Sequence, residues 1–123
     1  MTKKMILIID DSASLRQVVS IALTTAGYEV REAEDGKAAL SLLDGRKIHL
    51  IICDVNMPVM DGITFVTEAK KLAAYRFVPI IMLTTESRES RKQEGQMAGA
   101  KAWLVKPFRP EQMLQAVSKL ILP

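Results

Sequence analysis

Residues 48–54 read Ile48-His-Leu-Ile-Ile-Cys-Asp54, an apolar run that ends in an aspartate. A short, continuous apolar run rich in isoleucine predicts a strand that is buried on both faces of a sheet. Residues 5–11, Met-Ile-Leu-Ile-Ile-Asp-Asp, repeat this pattern and end in two aspartates. The same reasoning predicts three further strands, of which the first is the most polar and suits the edge of a sheet: residues 28–33, 78–83 and 102–105.

Helical patterns separate these strands. Apolar residues recur at the spacing i, i+3, i+4, i+7 and i+8 after the first strand, which predicts an amphipathic helix capped by Ser12 or Ser14 and stopped at Gly27. A second helix is expected to end at Gly45, and a third to cover about 61–74. The apolar positions of the first, second and last helices are Leu15, Val18, Val19, Ala22 and Leu23, then Ala38, Ala39, Leu42 and Leu43, then Met113, Leu114, Val117, Leu120 and Ile121.

Strands that alternate with helices predict an α/β fold, in which helices cover both faces of a five-stranded parallel sheet. Right-handed crossovers place the carboxyl ends of all strands at one edge of the sheet, and ligands bind beyond those ends. No repeat, low-complexity tract or linker interrupts the chain, so we expect residues 1–123 to form a single domain.

Composition excludes several classes of protein. The chain has 123 residues, 49% hydrophobic and 25% charged, with a net charge of +3, as is typical of a globular protein. Basic and acidic residues are interleaved along the chain and aromatics are few, so no nucleic-acid partner is expected. The apolar run of residues 5–9 is too short for a signal peptide or a membrane helix. The single cysteine, Cys53, precludes an intramolecular disulfide, and we expect a cytoplasmic protein that does not associate with membranes.

Polar residues stand at four predicted strand ends. Asp10 and Asp11 follow the first strand, Asp54 the third, Thr84 the fourth and Lys106 the fifth. Three carboxylates brought together repel one another unless a cation neutralises them. Oxygen ligands without histidine or cysteine indicate a hard ion, Mg²⁺ rather than zinc. One carboxylate would remain free to act as a nucleophile toward a phosphoryl group, assisted by the lysine and the threonine hydroxyl.

These strand-end residues belong to motifs that resemble those of response-regulator receiver domains, most of all the stand-alone, CheY-like receivers of chemotaxis. The resemblance implies a flavodoxin-like (βα)5 fold with strand order 2-1-3-4-5. The matching motifs, which cover nearly the whole chain in the order of the family, are Ile9-Asp-Asp-Ser12, Asp54-Val-Asn-Met-Pro58, Asp61-Gly62, Thr84-Thr-Glu86 and Lys106-Pro-Phe108.

The resemblance also implies roles for individual residues. A sensor histidine kinase similar to CheA, or a small acyl phosphate, would phosphorylate Asp54, and Lys106 would pair with the phosphoryl group before a cis bond to Pro107. The only catalysis expected is the transfer of the phosphoryl group to Asp54 and its later hydrolysis from Asp54. Asp10, Asp11, Asp54 and the backbone carbonyl of Asn56 would hold Mg²⁺. Hydrolysis would be tuned by Asn56, which lies two residues after Asp54, and by Glu86, which lies two residues after Thr84.

The switch and the output surface are expected near the fourth and fifth strands. Thr84 would move toward the phosphoryl group and Trp103 would rotate inward, unless Trp103 is a half-buried aromatic that never moves. Thr85 could obstruct this rotation. Residues 87–96 are polar nearly all round, so they form either a poorly docked surface helix or a movable element. The partner surface would comprise Arg88, Arg91, Lys92 and Trp103.

Several alternatives remain open at this stage. In a related receiver that binds the flagellar motor, the corresponding surface carries a basic pair and an aliphatic residue. Here Glu89 breaks the basic pair and Lys92 replaces the aliphatic residue, so the output partner is unknown and binding to the flagellar motor switch is doubtful. A mostly monomeric receiver could instead serve as a phosphate sink or a phosphorelay intermediate. A small phosphatase of the haloacid dehalogenase type also uses an aspartyl phosphate, but its Asp-x-Asp motif follows the first strand. His49 lies remote from the pocket and is expected to be structural.

Overall fold

The sheet is built as the sequence predicts. The computed structural model describes residues 3–85 and 99–122. Its five strands lie in the order β2-β1-β3-β4-β5, and every neighbouring pair is parallel. The flavodoxin-like, doubly wound α/β fold is therefore confirmed. The strands are β1 Met5–Ile9, β2 Glu29–Ala33, β3 Leu50–Asp54, β4 Ile80–Thr84 and β5 Ala102–Val105.

Four α-helices cover the two faces of the sheet within the described residues. Ser12 caps the first of them by accepting a hydrogen bond from the Leu15 amide at 3.2 Å, and Gly27 follows its end with φ of +100°. Both features were predicted. None of the described helices has the length and apolar composition that crossing a bilayer requires. The helices are α1 Ala13–Thr25, α2 Gly36–Leu42, α3 Gly62–Lys70 and α4 Pro110–Leu120.

Three details of the helices were predicted wrongly. Helix α2 ends at Leu42 rather than at Gly45, although Gly45 does adopt a left-handed φ of +96° in the loop that follows. Helix α3 ends at Lys70, and a separate 3-10 turn, Ala73–Tyr75, replaces its expected last turn. Val18 was assigned to the apolar face of α1 but is 54% exposed, because the face toward the sheet carries Val19 and Leu23 instead.

The alternation of side chains along the strands creates two cores. Leu7 and Ile9 of β1 point to the core beneath α2 and α3, whereas Ile6 and Ile8 point to the core beneath α1 and α4. All four side chains are fully buried. Full burial of an aliphatic side chain of this size contributes about 1.5–3 kcal/mol, so the two cores fix the strand register.

Parallel strands give the sheet two chemically different edges. We call the edge where the strands end, beyond Ile9, Asp54, Thr84 and Val105, the carboxyl edge. The edge where the strands begin, at Met5, Leu50, Ile80 and Ala102, is the amino edge. The strands β1 and β3 are neighbours although β2 lies between them in the chain, which makes their carboxyl ends the topological switch point of the sheet.

Candidate functional site

Three carboxylates meet at the switch point on the carboxyl edge. Asp10 follows β1, Asp11 is next to it, and Asp54 is the last residue of β3. Their carboxylate oxygens lie within 4.8 Å of one another. Asp10 is fully buried and Asp54 is 4% exposed, whereas Asp11 is exposed to solvent. The fold therefore brings together three acidic residues that the sequence analysis placed in one pocket.

A lysine from the end of β5 reaches into this cluster. The Lys106 Nζ atom donates to Asp10 Oδ2 at 2.9 Å and lies 3.4 Å from Asp54 Oδ2. Burial disfavours the charged form of Lys106, but the hydrogen bond to Asp10 and the charges of Asp54 and Asp10 outweigh burial and raise its pKa. Lys106 therefore stays protonated and bridges two carboxylates. The peptide bond to Pro107 is cis, as predicted.

The carboxyl of Asp54 is held in an unfavourable environment for its charge. Burial and the repulsion from Asp10 raise its pKa to about 6, against the opposing effects of Lys106 and a hydrogen bond from the Asn56 amide. Near neutral pH the carboxylate is still the main form. Its charge is poorly compensated, which is the condition of a group that gains from a further cation or reacts as a nucleophile.

The donor set fits a hard divalent cation. Every candidate ligand is an oxygen, and three carboxylates share one lysine, which leaves an excess of two negative charges in the pocket. Asp11 keeps its carboxylate accessible from solvent, so an ion can enter from that side. Asp10, Asp11 and Asp54 could therefore hold a metal ion, and their chemistry is that of a magnesium rather than a zinc site.

Backbone contacts fix Asp10 in the pocket. The Ser12 amide donates to Asp10 Oδ1 at 2.8 Å, and the Arg16 guanidinium donates to the Asp10 backbone carbonyl. Glu32 on β2 in turn accepts from Arg16 Nε at 3.1 Å. Arg16 was not predicted as a site residue, since an arginine on an amphipathic helix carries no sequence signal for such a contact.

The loop between β3 and α3 packs tightly behind Asp54. The Gly62 amide donates to the Val55 carbonyl at 2.8 Å, and a Cβ atom on Gly62 would overlap the Asp54 carbonyl oxygen. Asp61 caps α3 by accepting from the Thr64 amide at 2.7 Å. The Asp61-Gly62 motif therefore acts through the backbone, because glycine alone lets α3 approach β3 this closely.

The remaining predicted residues fall into two groups. Thr84 is fully buried at the end of β4. Trp103 is half-buried on β5, which is an edge strand, and packs against the core beneath α2 and α3. Asn56 is exposed beside the pocket. The predicted positions Glu86, Arg88, Arg91 and Lys92, together with the polar segment 87–96, lie outside the described residues.

Thr85 lines a groove rather than the surroundings of Trp103. This groove has a volume of about 380 Å³ and is bordered by Leu15, Lys106, Pro107 and Phe108. Leu15 and Phe108 pack on the α1 and α4 face of the sheet, opposite the face on which Trp103 packs. The idea that Thr85 obstructs Trp103 thus requires a movement of the loop after β4, and it stays a prediction.

His49 and Cys53 have structural surroundings. His49 immediately precedes β3 at the amino edge, where its Nδ1 accepts from the Met5 amide at 3.0 Å. The buried Cys53 thiol donates to the Asp54 carbonyl at 3.3 Å, and burial followed by the charges of Asp54 and Asp10 raises its pKa well above the usual value. A thiol held in its neutral form suits a small core residue.

An open parallel sheet with an acidic pocket at its β1–β3 switch point defines a flavodoxin-like α/β domain built to bind a charged ligand at that position. The family model for the response regulator receiver domain matches residues 6–118, and the chain belongs to this family. It is thus a receiver domain of the two-component response regulators, and the family resemblance noted in the sequence is confirmed.

Comparison with known proteins finds two kinds of relative, chemotaxis response regulators and transcriptional regulators. The chain is similar to the chemotaxis response regulator CheY4 of Vibrio cholerae, with 48% identity and a TM-score of 0.92 over 97% of this chain and 99% of CheY4. It is also 36% identical to the phosphate regulon transcriptional regulatory protein PhoB of Pseudomonas aeruginosa, over 98% of this chain and 53% of PhoB. The probable transcriptional regulator ycf27 of Porphyridium aerugineum is 40% identical over 92% of this chain and 46% of its own length. The chain therefore spans about half the length of the curated relatives it matches.

Proposed function

We propose that this receiver domain accepts a phosphoryl group on Asp54, from a phosphohistidine of a sensor kinase or from a small acyl phosphate, and signals by altered binding to another protein. The observation that carries the proposal is the position of the Asp54 carboxylate. It is nearly buried, at the switch point of the sheet, between two further carboxylates and the Lys106 ammonium group. Asp10 is also buried beside Lys106, but its two carboxylate oxygens already accept hydrogen bonds from the Ser12 amide and Lys106 Nζ, whereas Asp54 lies farther from Lys106, at 3.4 Å.

In this mechanism an Asp54 carboxylate oxygen attacks the phosphorus atom of the donor. A phosphorus–oxygen bond to Asp54 forms while the bond from phosphorus to the donor nitrogen or oxygen breaks, and its electron pair leaves with the donor. The raised pKa of about 6 leaves Asp54 mainly ionised at neutral pH. Weak compensation of its charge by the surrounding protein groups favours its reaction with an electrophile.

Lys106 and Thr84 act on the charge that the transfer brings into the pocket. Lys106 Nζ lies 3.4 Å from Asp54 Oδ2 and carries a raised pKa, so it is a fixed cation beside the incoming phosphoryl oxygens. Thr84 ends the adjacent strand β4, where its hydroxyl can donate to a phosphoryl oxygen once the loop after β4 adjusts. Such preorganised donors are the main contribution a protein makes to phosphoryl transfer.

Mg²⁺ would be held by Asp10, Asp11, Asp54 and the Asn56 backbone carbonyl, and would neutralise charge on the transferred phosphoryl group. Asp10 is preorganised for this task, because Ser12 and Lys106 already fix its two carboxylate oxygens. Asp11 is the ligand that faces solvent. Hydrolysis would return Asp54 to its carboxylate when water attacks the phosphorus and inorganic phosphate leaves, with Asn56 and Glu86 tuning the access of that water.

The physiological context we propose is chemotaxis, with a CheA-like kinase as the phosphoryl donor. The similarity to CheY4 along 99% of the length of CheY4 supports this assignment. The similarity to PhoB and ycf27 covers about half of each protein, so it does not distinguish between contexts. A phosphate sink or phosphorelay intermediate is the second candidate. Membership of the receiver family gives no support to a dehalogenase-type phosphatase.

Trp103 would report the switch, and output would use the surface of Arg88, Arg91, Lys92 and Trp103.

The chemical nature of the adduct tests the proposal. Incubation with acetyl phosphate should label the protein with Mg²⁺ present and leave it unlabelled after chelation of divalent ions. Hydroxylamine should release the label, because it cleaves an acyl phosphate but spares phosphate esters of serine and threonine. A label that resists hydroxylamine, or that forms equally well without divalent ions, would contradict an aspartyl phosphate in this pocket.

A further inference from the structure

The amino edge of the sheet carries a cationic surface that the phosphoryl chemistry does not use. The loop segments before β1, β3, β4 and β5 contain several lysines and arginines, and one exposed aromatic lies among them. We call this surface the amino-edge patch, and its members are Lys4, Arg46, Lys47, Arg76, Phe77 and Lys101.

Direct contacts hold the segments of the patch in one surface. Between β1 and β3, the Met5 amide donates to His49 Nδ1 at 3.0 Å and the His49 amide donates to the Met5 carbonyl at 2.9 Å. Between β3 and β4, the Tyr75 hydroxyl donates to the Arg46 carbonyl and accepts from the Gly45 amide, both at 2.8 Å. The segment of Lys47 is therefore joined to Lys4 on one side and to Arg76 on the other.

The last part of the patch is joined through a neighbouring lysine. Lys70, near the end of α3, donates from Nζ to the Val78 carbonyl at 2.7 Å. Lys101 is the residue before β5, and its amide donates to the Ile80 carbonyl of β4 at 2.8 Å. Strands lie about 4.8 Å apart, so residues preceding neighbouring strands form a row across the molecule.

Positive charge in this row is only partly compensated. Arg46 has an ion pair with Asp44 at 3.5 Å, but Lys4, Lys47, Arg76 and Lys101 form no ion pair with any described residue. These charges also lower the pKa values of two neighbouring groups. Burial, followed by the charges of Lys47 and Lys4, lowers the pKa of His49, and burial followed by the charge of Lys101 lowers the pKa of Lys70.

Stabilisation of helix ends does not account for the patch. Lys70 and Lys71 occupy the end of α3, where cations complement the helix dipole, and Lys71 also pairs with Glu68 at 3.0 Å. The patch residues precede strands and lie in loops. Phe77 is 81% exposed, which places an aromatic ring in water with no folding benefit, beside Arg76. An exposed aromatic among unpaired cations is the composition of a binding surface.

We propose that the amino-edge patch docks an acidic segment of a partner protein, whose apolar side chain covers Phe77 and whose carboxylates pair with Lys47, Arg76 and Lys101. A discrete peptide fits better than a continuous polyanion, because Asp44, which pairs with Arg46 within the row, interrupts the positive surface that a phosphate backbone or an anionic bilayer would need. Single-stranded nucleic acids also stack successive bases on several aromatics, whereas Phe77 is the only exposed aromatic among the large exposed apolar residues described.

This docking is independent of phosphorylation. The patch and Asp54 lie at opposite ends of five-residue strands, about 16 Å apart, which is twice the screening length of about 8 Å at physiological ionic strength. The surface would therefore hold a partner in both signalling states. It does not depend on the proposed function, and either assignment can fail without the other.

Binding of a labelled acidic peptide tests the docking surface. The probe is a fluorescein-labelled peptide of the repeat Glu-Glu-Phe-Asp, and its control carries amides in place of the carboxylates. Anisotropy should detect binding of the acidic peptide alone, with affinity that falls as salt rises. Arg76→Glu and Phe77→Ser should each weaken binding roughly five- to tenfold, whereas the matched reversal Lys37→Glu, on α2 near the carboxyl edge, should not.

Three results would overturn the proposal. One is equal binding of the amide peptide, and another is an equal loss of affinity in Lys37→Glu, since either would show that the attraction is not specific to this patch. The third is tighter binding of a single-stranded oligonucleotide or of phosphatidylglycerol vesicles than of the acidic peptide. Asp54→Asn, and beryllofluoride with Mg²⁺, should leave the peptide affinity unaltered. Circular dichroism of each variant ensures that a lost affinity is not a lost fold.

Discussion

The two edges of the sheet treat charge in opposite ways. At the carboxyl edge, Asp10 and Asp54 are buried, repel each other and share one lysine. At the amino edge, Lys47, Arg76 and Lys101 are exposed to solvent, and no described carboxylate pairs with them. Charge that is buried against its preference marks the place of chemistry, whereas charge left in solvent marks a surface that other molecules can meet.

The loops at the two edges differ in backbone strain as well. At the amino edge, the left-handed positions before β2, β3 and β5 are glycines, Gly27, Gly45 and Gly99. At the carboxyl edge, Val59 has a φ of +70° and is 76% exposed. A β-branched residue seldom adopts this conformation. The loop after Asp54 is therefore under strain that the loops at the opposite edge avoid, in keeping with the clustering of strained residues at functional sites.

The largest difference between the edges should appear when the two lysines that flank β5 are exchanged for methionine. Lys106→Met should slow phosphorylation by acetyl phosphate by about a hundredfold, because the cation beside the phosphoryl oxygens is lost. Lys101→Met, at the other end of the same strand, should change the rate little. Stopped-flow fluorescence of Trp103, or quantified mass spectra, give both rates. Equal slowing by the two substitutions would mean that net charge, not position, matters.

A second contrast concerns stability. The pKa of Asp54 is raised to about 6 in the folded protein, so the folded state holds an extra proton between the unfolded and folded pKa values. The free energy of unfolding without Mg²⁺ should therefore fall as pH rises toward 6 and then level off. Asp54→Asn should stabilise the protein by about 2 kcal/mol above pH 7, and by much less near pH 4.

Asp44→Asn is the matched control, since Asp44 is an exposed carboxylate at the amino edge paired with Arg46. It should alter stability by no more than about 0.5 kcal/mol at any pH. Urea titrations at several pH values measure both variants. A stabilisation by Asp54→Asn that does not vary with pH would contradict the electrostatic explanation.

The strain in the carboxyl-edge loop gives a smaller effect. Val59→Asn should raise the free energy of unfolding by about 1 kcal/mol, because asparagine tolerates a left-handed backbone better than a β-branched residue does. Little apolar burial is lost, since Val59 is 76% exposed. Gly45→Ala, at φ of +96° in the amino-edge loop, should lower stability by about the same amount. Thermal unfolding measures both variants. A shift of the two unfolding temperatures in the same direction would contradict the proposed difference in strain between the edges.

The smallest effect should be that of a charge substitution at the amino edge on phosphorylation at the carboxyl edge. Lys47→Glu changes the charge of the amino edge by two units, yet phosphorylation of Asp54 by acetyl phosphate should stay within about twofold of the wild-type rate. The rate should be measured at physiological ionic strength. A change of tenfold or more would show that the edges are coupled, and the inferred independence of the docking surface from phosphorylation would then be wrong.

The sequence predicted most of the carboxyl edge because its signals are local and strong. Apolar runs end in Asp10, Asp54, Thr84 and Lys106, and the topology of parallel strands dictates that such residues converge. The ends of α2 and α3 were predicted wrongly, since Gly45 and the residues after Lys70 read equally well as a continued helix or as a loop. Tertiary contacts, not local preference, decide between those readings.

The amino edge could not be predicted, because its charge pattern is non-local. Lys4, Lys47, Arg76 and Lys101 are separated in the chain by acidic residues, and the sequence reads as an even mixture of charges. Only the fold brings them together, because they lie in the loops that precede β1, β3, β4 and β5 at one edge of the sheet. The role of Arg16 was missed for the same reason, because its contact with Asp10 depends on how α1 packs.

The measurement that tests the central claim most directly is the site of phosphorylation at the carboxyl edge. The protein, Asp54→Asn and Asp11→Asn are incubated with acetyl phosphate and Mg²⁺, and intact mass is followed by peptide mapping under mild conditions. We expect one phosphoryl group on the wild-type protein, located on Asp54. The adduct should form more slowly in Asp11→Asn and should not form in Asp54→Asn. An adduct that persists in Asp54→Asn, or that maps to a residue outside the pocket, would contradict the assignment of Asp54 as the phosphoacceptor.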